Sequence, residues 1–282
     1  MSPARISAGC ASGKGANVTI EPKVFFGAIF TPDGPILNGL YLTVGVSIIA
    51  QLIGVGLGIF AALGKMAKFL PFRFIANFYI WFFRGTPLIV QLTFLVYGVQ
   101  SAHVFAWPVL QLGPFTIAQE VFAGTIILGI NEGAYMAEIV RAGILSIDPG
   151  QQEAAKSLGM NYGQTMRRIV LPQAARVILP PLGNEFNNML KNTSLLMVLG
   201  IFELYNIFAS KAGLAYQYFE FMGACMVWFL LLTTIWGFVQ SWIERRFAKG
   251  TSSATNGRSW RERLFGVGRP QPADEINVLG GH

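Results

Sequence analysis

Long apolar stretches are the feature of this sequence that most constrains its fold. About 20 apolar residues are needed to cross a hydrocarbon core of roughly 30 Å. Only 12% of the 282 residues are charged, whereas a soluble domain carries about 25%. The sequence therefore predicts an all-α, polytopic membrane protein with about five transmembrane helices. The predicted spans are residues 36–63, 74–99, 115–140, 182–207 and 218–243.

The basic residues are distributed unequally between the two sides of these spans. Of the 21 Lys and Arg, 15 fall in the loop after span one, the loop after span three and the C-terminal tail. Cytoplasmic loops carry an excess of Lys and Arg, so these segments are predicted to be cytoplasmic and the N-terminus extracytoplasmic. The net charge of +7 is then a topology signal, and nucleic-acid binding is not expected.

The spans divide the chain into three parts. Residues 1–34 are predicted to be an extracytoplasmic tail, 35–246 a transmembrane domain, and 247–282 a cytoplasmic, disordered tail. Residues 102–115 are apolar but too short to span, and are predicted to connect two spans at the membrane surface. Glu203 and Glu220, toward the outer ends of their spans, are predicted to lie at the interface or to contact an external binding protein. No signal peptide, metal site or disulfide is expected, since the two cysteines, Cys10 and Cys225, lie far apart in the sequence.

The cytoplasmic loop at residues 148–172 has the signals of two short helices. Asp148 can cap the first helix, with Gln151 three residues later as in a variant of the capping box, and Gly159 permits a left-handed stop. Asn161 can cap the second, with Gln164 in the reciprocal position of a capping box. Pro172 is predicted to end that second helix.

The first loop helix either docks a soluble partner or merely connects two spans. Small alanines let another backbone approach closely, which favours docking. The residues alone leave both interpretations open. The candidate knob consists of Glu153, Ala154, Ala155, Lys156, Leu158 and Gly159.

The loop also resembles a known motif. Glu153-Ala154-Ala155, then Gly159, Ile169 and Leu171-Pro172, have the order and spacing of the EAA loop of bacterial ABC importer permeases. The segments FFRGTPLIVQL, GAYMAEIVRAGILSIDPGQQEAAKSLG and PPLGNEFNNMLKNTSLL are similar to the polar amino-acid family of the histidine, glutamine and arginine type. The resemblance covers residues 38–246 and implies a type I importer fold of the MetI-like kind.

The resemblance implies several partners. They are two ATP-binding subunits docked on the EAA loops, a second permease subunit in a homodimer or heterodimer, and an extracytoplasmic solute-binding protein. The partner ATPase would use ATP and Mg²⁺. The chain itself would be located in a bacterial inner membrane. The chain itself has no segment that fits the P-loop pattern G-x-x-x-x-G-K-[ST], so it is expected to bind no cofactor and to catalyse no reaction.

Polar residues within the spans are candidates for the translocation path, since ionisable groups at bilayer depth usually face a cavity or a partner. In span three the candidates lie at helical spacing, which predicts one polar face. The alternative is that they bond neighbouring helices. Glu138 can also form a local ion pair with Arg141, three residues away. These candidates are Asn131, Glu132, Tyr135 and Glu138.

The other candidates lie in spans two and four. Arg84 and Thr86 stand beside Gly85 and Pro87, which are predicted to break span two near its middle. Arg84 can bind a substrate carboxylate or pair with Glu132 or Glu185. At the start of span four the gate candidates are Asn184, Glu185, Asn188 and Lys191.

The predicted function is that of the membrane-spanning permease subunit of an ATP-driven importer for a polar amino acid. An importer for another small solute, such as an opine or a peptide, is the alternative within the class. An ATP-independent channel or secondary transporter is the alternative outside it, and it gives the EAA loop no purpose.

Overall fold

A computed structural model describes residues 21–113 and 115–247 of the chain. The C-terminal tail from residue 248, which is predicted to be disordered, and Cys10 lie outside the described residues. The described α-helices are α1 (Pro22–Phe30), α2 (Gly34–Met66), α3 (Leu70–Gly85), α4 (Leu88–Thr93), α5 (Val99–Ser101), α6 (Gln119–Leu145), α7 (Pro149–Ser157), α8 (Tyr162–Thr165), α9 (Leu171–Asn192), α10 (Leu204–Ala215) and α11 (Tyr218–Phe247).

Non-α segments join several of these helices. Phe94–Gly98 and Met166–Val170 are π-helical, and Thr193–Leu199 is a 3₁₀ helix. Between α5 and α6 the predicted surface connection contains a small antiparallel hairpin, β1 (Leu110–Leu112) and β2 (Phe115–Ile117). Span three was predicted to start at residue 115, but α6 begins only after this hairpin.

By length and composition alone, fewer described helices qualify as membrane spans than the five that the sequence predicts. Within the described residues, α2 and α11 are each long and apolar enough to span alone. Two further spans qualify only as bent pairs, one joining α3 to α4–α5 at 106° and one joining the α8–α9 region to α10 at 53°. This criterion gives up to four spans instead of five. The remaining predicted span is α6, a 27-residue helix at the centre of the fold whose acidic residues lower its apolar character.

Close contact between α2 and α6 organises the core. Both helices carry glycines four residues apart, Gly54 and Gly58 on α2 and Gly129 and Gly133 on α6. A Cβ atom at Gly58 would lie 2.3 Å from the Met136 Cβ, and one at Gly129 would lie 3.1 Å from a backbone oxygen of α2. Such small-residue spacing lets two transmembrane backbones approach closely.

The second loop helix does not end at Pro172 as predicted. Residues 162–192 form one continuous helical run in which a π-helical turn precedes the proline. The Leu171 N–H bonds the Met166 carbonyl, five residues back. This wider turn accommodates the proline ring, which would clash with the carbonyl of an ordinary α-helical turn. Span four therefore continues directly from the loop at residues 148–172 instead of starting at residue 182.

Glu203 and Glu220 are buried within the fold, which leaves neither carboxylate exposed for contact with a binding protein. Glu203 is fully buried and accepts hydrogen bonds from the Tyr205 and Asn206 backbone N–H groups at the start of α10, each at 2.8 Å. Glu220 accepts a 2.8 Å bond from the Glu21 N–H just before α1. Both carboxylates therefore satisfy unpaired helix N-terminal donors, which stabilise negative charge.

A surface ion pair also joins α2 to α10. Asp33 caps α2 through the Ile36 N–H and pairs with Lys211. Partial burial alone would raise the pKa of Asp33, but the bonds from Lys211 and Ile36 bring the pKa below its ordinary value. These contacts hold the end of α10 against the start of α2, opposite the loop at residues 148–172.

Candidate functional site

Specific hydrogen bonds stabilise the break between α3 and α4. Pro87 has no N–H, so the Phe83 carbonyl four residues before it loses its helical donor. Two side chains replace that donor: Gln91 Nε2 bonds the Phe83 oxygen at 2.9 Å and Asn131 Nδ2 bonds it at 3.1 Å. Asn131 also donates to Gln91 Oε1 at 2.9 Å. Both amide side chains are buried, so they fix the bend.

Thr86 belongs to the same network. Its hydroxyl donates to the Phe82 carbonyl at 2.9 Å and accepts from Gln91 Nε2 at 2.7 Å. Thr86 and Asn131, predicted as path residues, thus brace the break. Gln91 was not singled out from the sequence, although a lone amide four residues after Pro87 in an apolar segment was a usable signal.

Arg84 lies next to this break and faces an open cavity. Its guanidinium carbon lies 5.4 Å from the centroid of the Tyr135 ring, within cation–π distance. The cavity beside them has a volume of about 710 Å³. Its lining includes Lys65, Asn77, Trp81, Arg84, Tyr135 and Glu138.

Glu138 contributes to that cavity as the centre of an ion-pair group. It pairs with Arg141 at 2.9 Å, the local pair that the spacing allowed, and with Lys65 from the end of α2. The second pair was not predicted, because it depends on where α2 ends relative to α6. Arg84 forms no ion pair with any described residue, so it keeps its charge available to a ligand.

Glu132 departs from the predicted polar face of α6. Asn131, Tyr135 and Glu138 face α3 and the break, but Glu132 is buried against α2, where Gln51 Nε2 donates to it at 3.3 Å. One residue along a helix rotates the side chain by about 100°, which carries Glu132 away from its neighbour Asn131. It does not form the suggested ion pair with Arg84, and neither does Glu185.

The α9 candidates form a separate set. Asn188 Nδ2 donates to Glu185 at 3.4 Å, and Gln240 of α11 donates to Asn184 at 3.3 Å. Lys191 is exposed and lines a different, apolar cavity beside α11. None of the four lines the cavity of Arg84 and Tyr135.

The loop at residues 148–165 has the predicted local structure. Asp148 caps α7 by accepting from the Gly150 N–H at 2.8 Å, Gly159 is left-handed with φ +75°, and Asn161 and Gln164 form the reciprocal capping box. Asp148 bonds Gly150 and not Gln151, so the first cap is not itself a capping box. Two capped helices joined by a tight turn make a rigid unit.

The residues of the candidate knob divide between an outer and an inner face. Leu158 is 82% exposed, and Glu153, Ala154, Lys156 and Gly159 are exposed with it. Ala155 is buried, so this alanine packs inward. Of the downstream motif residues, Leu171 and Pro172 are exposed and Ile169 is half-buried.

The loop is anchored to the helices of the membrane domain. A buried apolar cluster lies beneath it and joins the inner ends of α2 and α6 to the π-helical turn and α9. Its members are Ala62, Val140, Ile144, Ile147, Val170 and Ala174. The first loop helix, α7, contacts the π-helical turn Met166–Val170, and Val170 of that turn belongs to this cluster.

Known proteins share this sequence and fold. The family described as "binding-protein-dependent transport system inner membrane component" matches residues 54–249. The arginine transport system permease protein ArgU of Corynebacterium glutamicum is 38% identical over 80% of this chain and 72% of its own length. The corresponding protein ArtQ of Bacillus subtilis is 36% identical over 75% of this chain and 91% of its own.

Solved structures agree with these relatives. A crystal structure of an amino acid ABC transporter with histidines has a TM-score of 0.69 and 37% identity, covering 79% of this chain and 98% of its own. An inward-facing MetNI methionine ABC transporter shares the fold, with a TM-score of 0.60 over 76% of this chain and 96% of its own. The sequence identity is 16%. The chain belongs to the family of binding-protein-dependent transport system inner membrane components.

Proposed function

We propose that the chain is the permease subunit of an ATP-driven bacterial importer and forms the translocation path for a polar amino acid. Two relatives named as arginine permeases each cover three quarters or more of this chain. Others are named for cystine and glutamine transport. These names support a polar α-amino acid as the class of solute.

The proposal includes a topology and a set of partners. The loop at residues 148–172 and the C-terminus face the cytoplasm, and the N-terminus faces outward, in line with the excess of Lys and Arg on the loop side. ATP-binding subunits that use ATP and Mg²⁺ dock on the loop, a second permease subunit completes the membrane domain, and an external binding protein delivers the solute. The chain contributes no chemical step.

The observation that carries the proposal is the exposed apolar end of a rigid loop. Leu158 and the adjacent Gly159 protrude at the C-terminal end of α7, while the buried side of the loop is packed on α2, α6 and α9. Single exposed leucines are common on protein surfaces, but Leu158 lies within the segment Glu153–Gly159, which has the order and spacing of the EAA loop. ATP-driven motion of the partner thus reaches the helices that line the cavity.

The cavity of Arg84 and Tyr135 supplies a recognition element for the solute. Every α-amino acid carries a carboxylate, which a guanidinium binds through two parallel hydrogen bonds. Asn131, Gln91 and Thr86 fix the break that places Arg84. Lys65 and Glu138, which pair with each other, form part of the lining of the same cavity.

Replacement of Arg84 tests the path. Arg84→Gln is expected to lower ATP-dependent uptake by about 10- to 100-fold, because a hydrogen bond to a charged group contributes about 1.5–3 kcal/mol. Uptake of labelled amino acid is measured in vesicles that contain the assembled transporter. The amount of transporter in the membrane is measured in parallel.

Arg84→Lys is the matched variant, since it keeps the charge but not the planar fork, and intermediate uptake is expected. If Arg84→Gln reduces the amount of assembled transporter as much as it reduces uptake, Arg84 is structural and this part of the proposal is wrong.

A further inference from the structure

A second and larger groove opens on the loop side of the membrane domain. Its volume is about 1160 Å³, beyond the roughly 300–1,000 Å³ that is usual for small-molecule sites. Its floor is the buried face of α6, and its walls come from α2 and α9. It shares no lining residue with the polar cavity of Arg84 and Tyr135. Its apolar lining includes Val55, Ile59, Leu63, Val140, Ile178 and Leu182.

The length of this groove matches one leaflet of a bilayer. Along α2 the lining runs from Val55 to Met66, a rise of about 16 Å at 1.5 Å per residue. Half of a hydrocarbon core of roughly 30 Å is about 15 Å. The apolar part thus extends from the depth of the bilayer midplane to its surface on the loop side, which is the extent of a phospholipid acyl chain.

The polar lining residues are confined to one end. Lys68 follows α2, Lys156 lies on α7, and Tyr162 begins α8, so all three lie at the loop end of the groove. No acidic residue lines it. Neither lysine forms an ion pair within residues 21–113 and 115–247. Basic pockets between transmembrane helices at a membrane surface bind anionic lipid headgroups.

We infer that this groove binds one anionic phospholipid, with its acyl chains along α2, α6 and α9 and its phosphate at Lys68 and Lys156. The lipid links the membrane helices to the first loop helix, because Lys156 belongs to α7. Binding of a phospholipid here is independent of which solute the protein transports.

Native mass spectrometry of the assembled transporter tests this site. We expect one palmitoyl-oleoyl phosphatidylglycerol per permease chain, retained at least about tenfold better than the phosphatidylcholine of the same chains, because both lipids carry a phosphate but only phosphatidylcholine adds a choline cation beside the two lysines. Lys68→Gln is expected to abolish that preference. Arg73→Gln is the matched control, since Arg73 is an exposed cation in the first turn of α3, close to Lys68 in sequence, that does not line the groove; it is expected to retain the preference.

A second variant tests the apolar part. Ala175→Trp fills the groove from α9 and is expected to lower retention of both lipids. A photo-cross-linking residue at Ile59 is expected to give an adduct with the mass of a phospholipid. A phosphatidylglycerol preference that survives in Lys68→Gln, unchanged retention in Ala175→Trp, or an Ile59 adduct with a second permease chain would each overturn the inference.

Discussion

A transporter carrying Leu158→Asp is expected to reach the membrane at normal levels and to lose ATP-dependent uptake. Leu158 is 82% exposed and packs on nothing within the membrane domain that its loss would destabilise. In the proposed complex it enters the ATP-binding subunit, where an unpaired carboxylate would have to be desolvated. Central interface positions contribute about 2 kcal/mol or more, so the affinity between the subunits is expected to fall at least about 30-fold.

The measurement for Leu158→Asp is co-purification of the ATP-binding subunit with the permease, together with uptake. Leu158→Met is the matched control, because it keeps the volume and apolar character and is expected to preserve both. A cysteine at this position is expected to cross-link to the ATP-binding subunit, which also tests the cytoplasmic placement of the loop. Normal co-purification of the Leu158→Asp permease would exclude the proposed docking.

Replacement of Gly58 by leucine is expected to prevent correct folding of the membrane domain. A Cβ at Gly58 would lie 2.3 Å from the Met136 Cβ and 3.0 Å from the Ala137 backbone nitrogen. Backbone atoms cannot move aside as a flexible side chain does, so α2 and α6 would have to separate. Overpacking of a core costs about 1–3 kcal/mol or more, and here it affects the central helix pair.

The control is Gly56→Leu, on the same helix two residues away, where a Cβ would have nothing within 4 Å. Size-exclusion profiles and thermal unfolding in detergent are the measurements. Gly58→Leu is expected to aggregate or to unfold at a clearly lower temperature, and Gly56→Leu to resemble the unchanged protein. Equal behaviour of the two variants would show that close α2–α6 contact is not required.

Local signals in the sequence predicted local structure well. The Asp148 cap, the left-handed Gly159 and the Asn161–Gln164 capping box depend on residues within a few positions of one another. The same reasoning was wrong at Pro172, because a π-helical turn absorbs the proline at a cost that neighbouring residues do not reveal.

Long-range partners were harder to predict. Glu132 faces Gln51 and Glu138 pairs with Lys65, contacts that depend on the register between α2 and α6. That register is set by Gly54, Gly58, Gly129 and Gly133, whose spacing was a readable signal for close packing. The burial of Glu203 was not predicted for a related reason, since its partners are backbone donors at a helix start that hydropathy does not predict.

The break in span two was predicted from Gly85 and Pro87, and the structure bends there by 106°. The roles of the residues around it were not separable from sequence. Thr86 and Asn131 brace the bend, whereas Arg84 faces the cavity. A polar residue in a span can serve either purpose, and only its direction relative to the neighbouring helices decides between them.

The most direct measurement is uptake into sealed proteoliposomes that contain the chain, its ATP-binding subunit and its binding protein. Labelled arginine, glutamine and cystine are supplied outside, with ATP or without it inside. We predict that at least one amino acid accumulates with ATP and Mg²⁺, and that none does without ATP or with the Leu158→Asp permease. Accumulation by the chain alone, without ATP or an ATP-binding partner, would contradict the proposed function and would indicate a channel or secondary transporter.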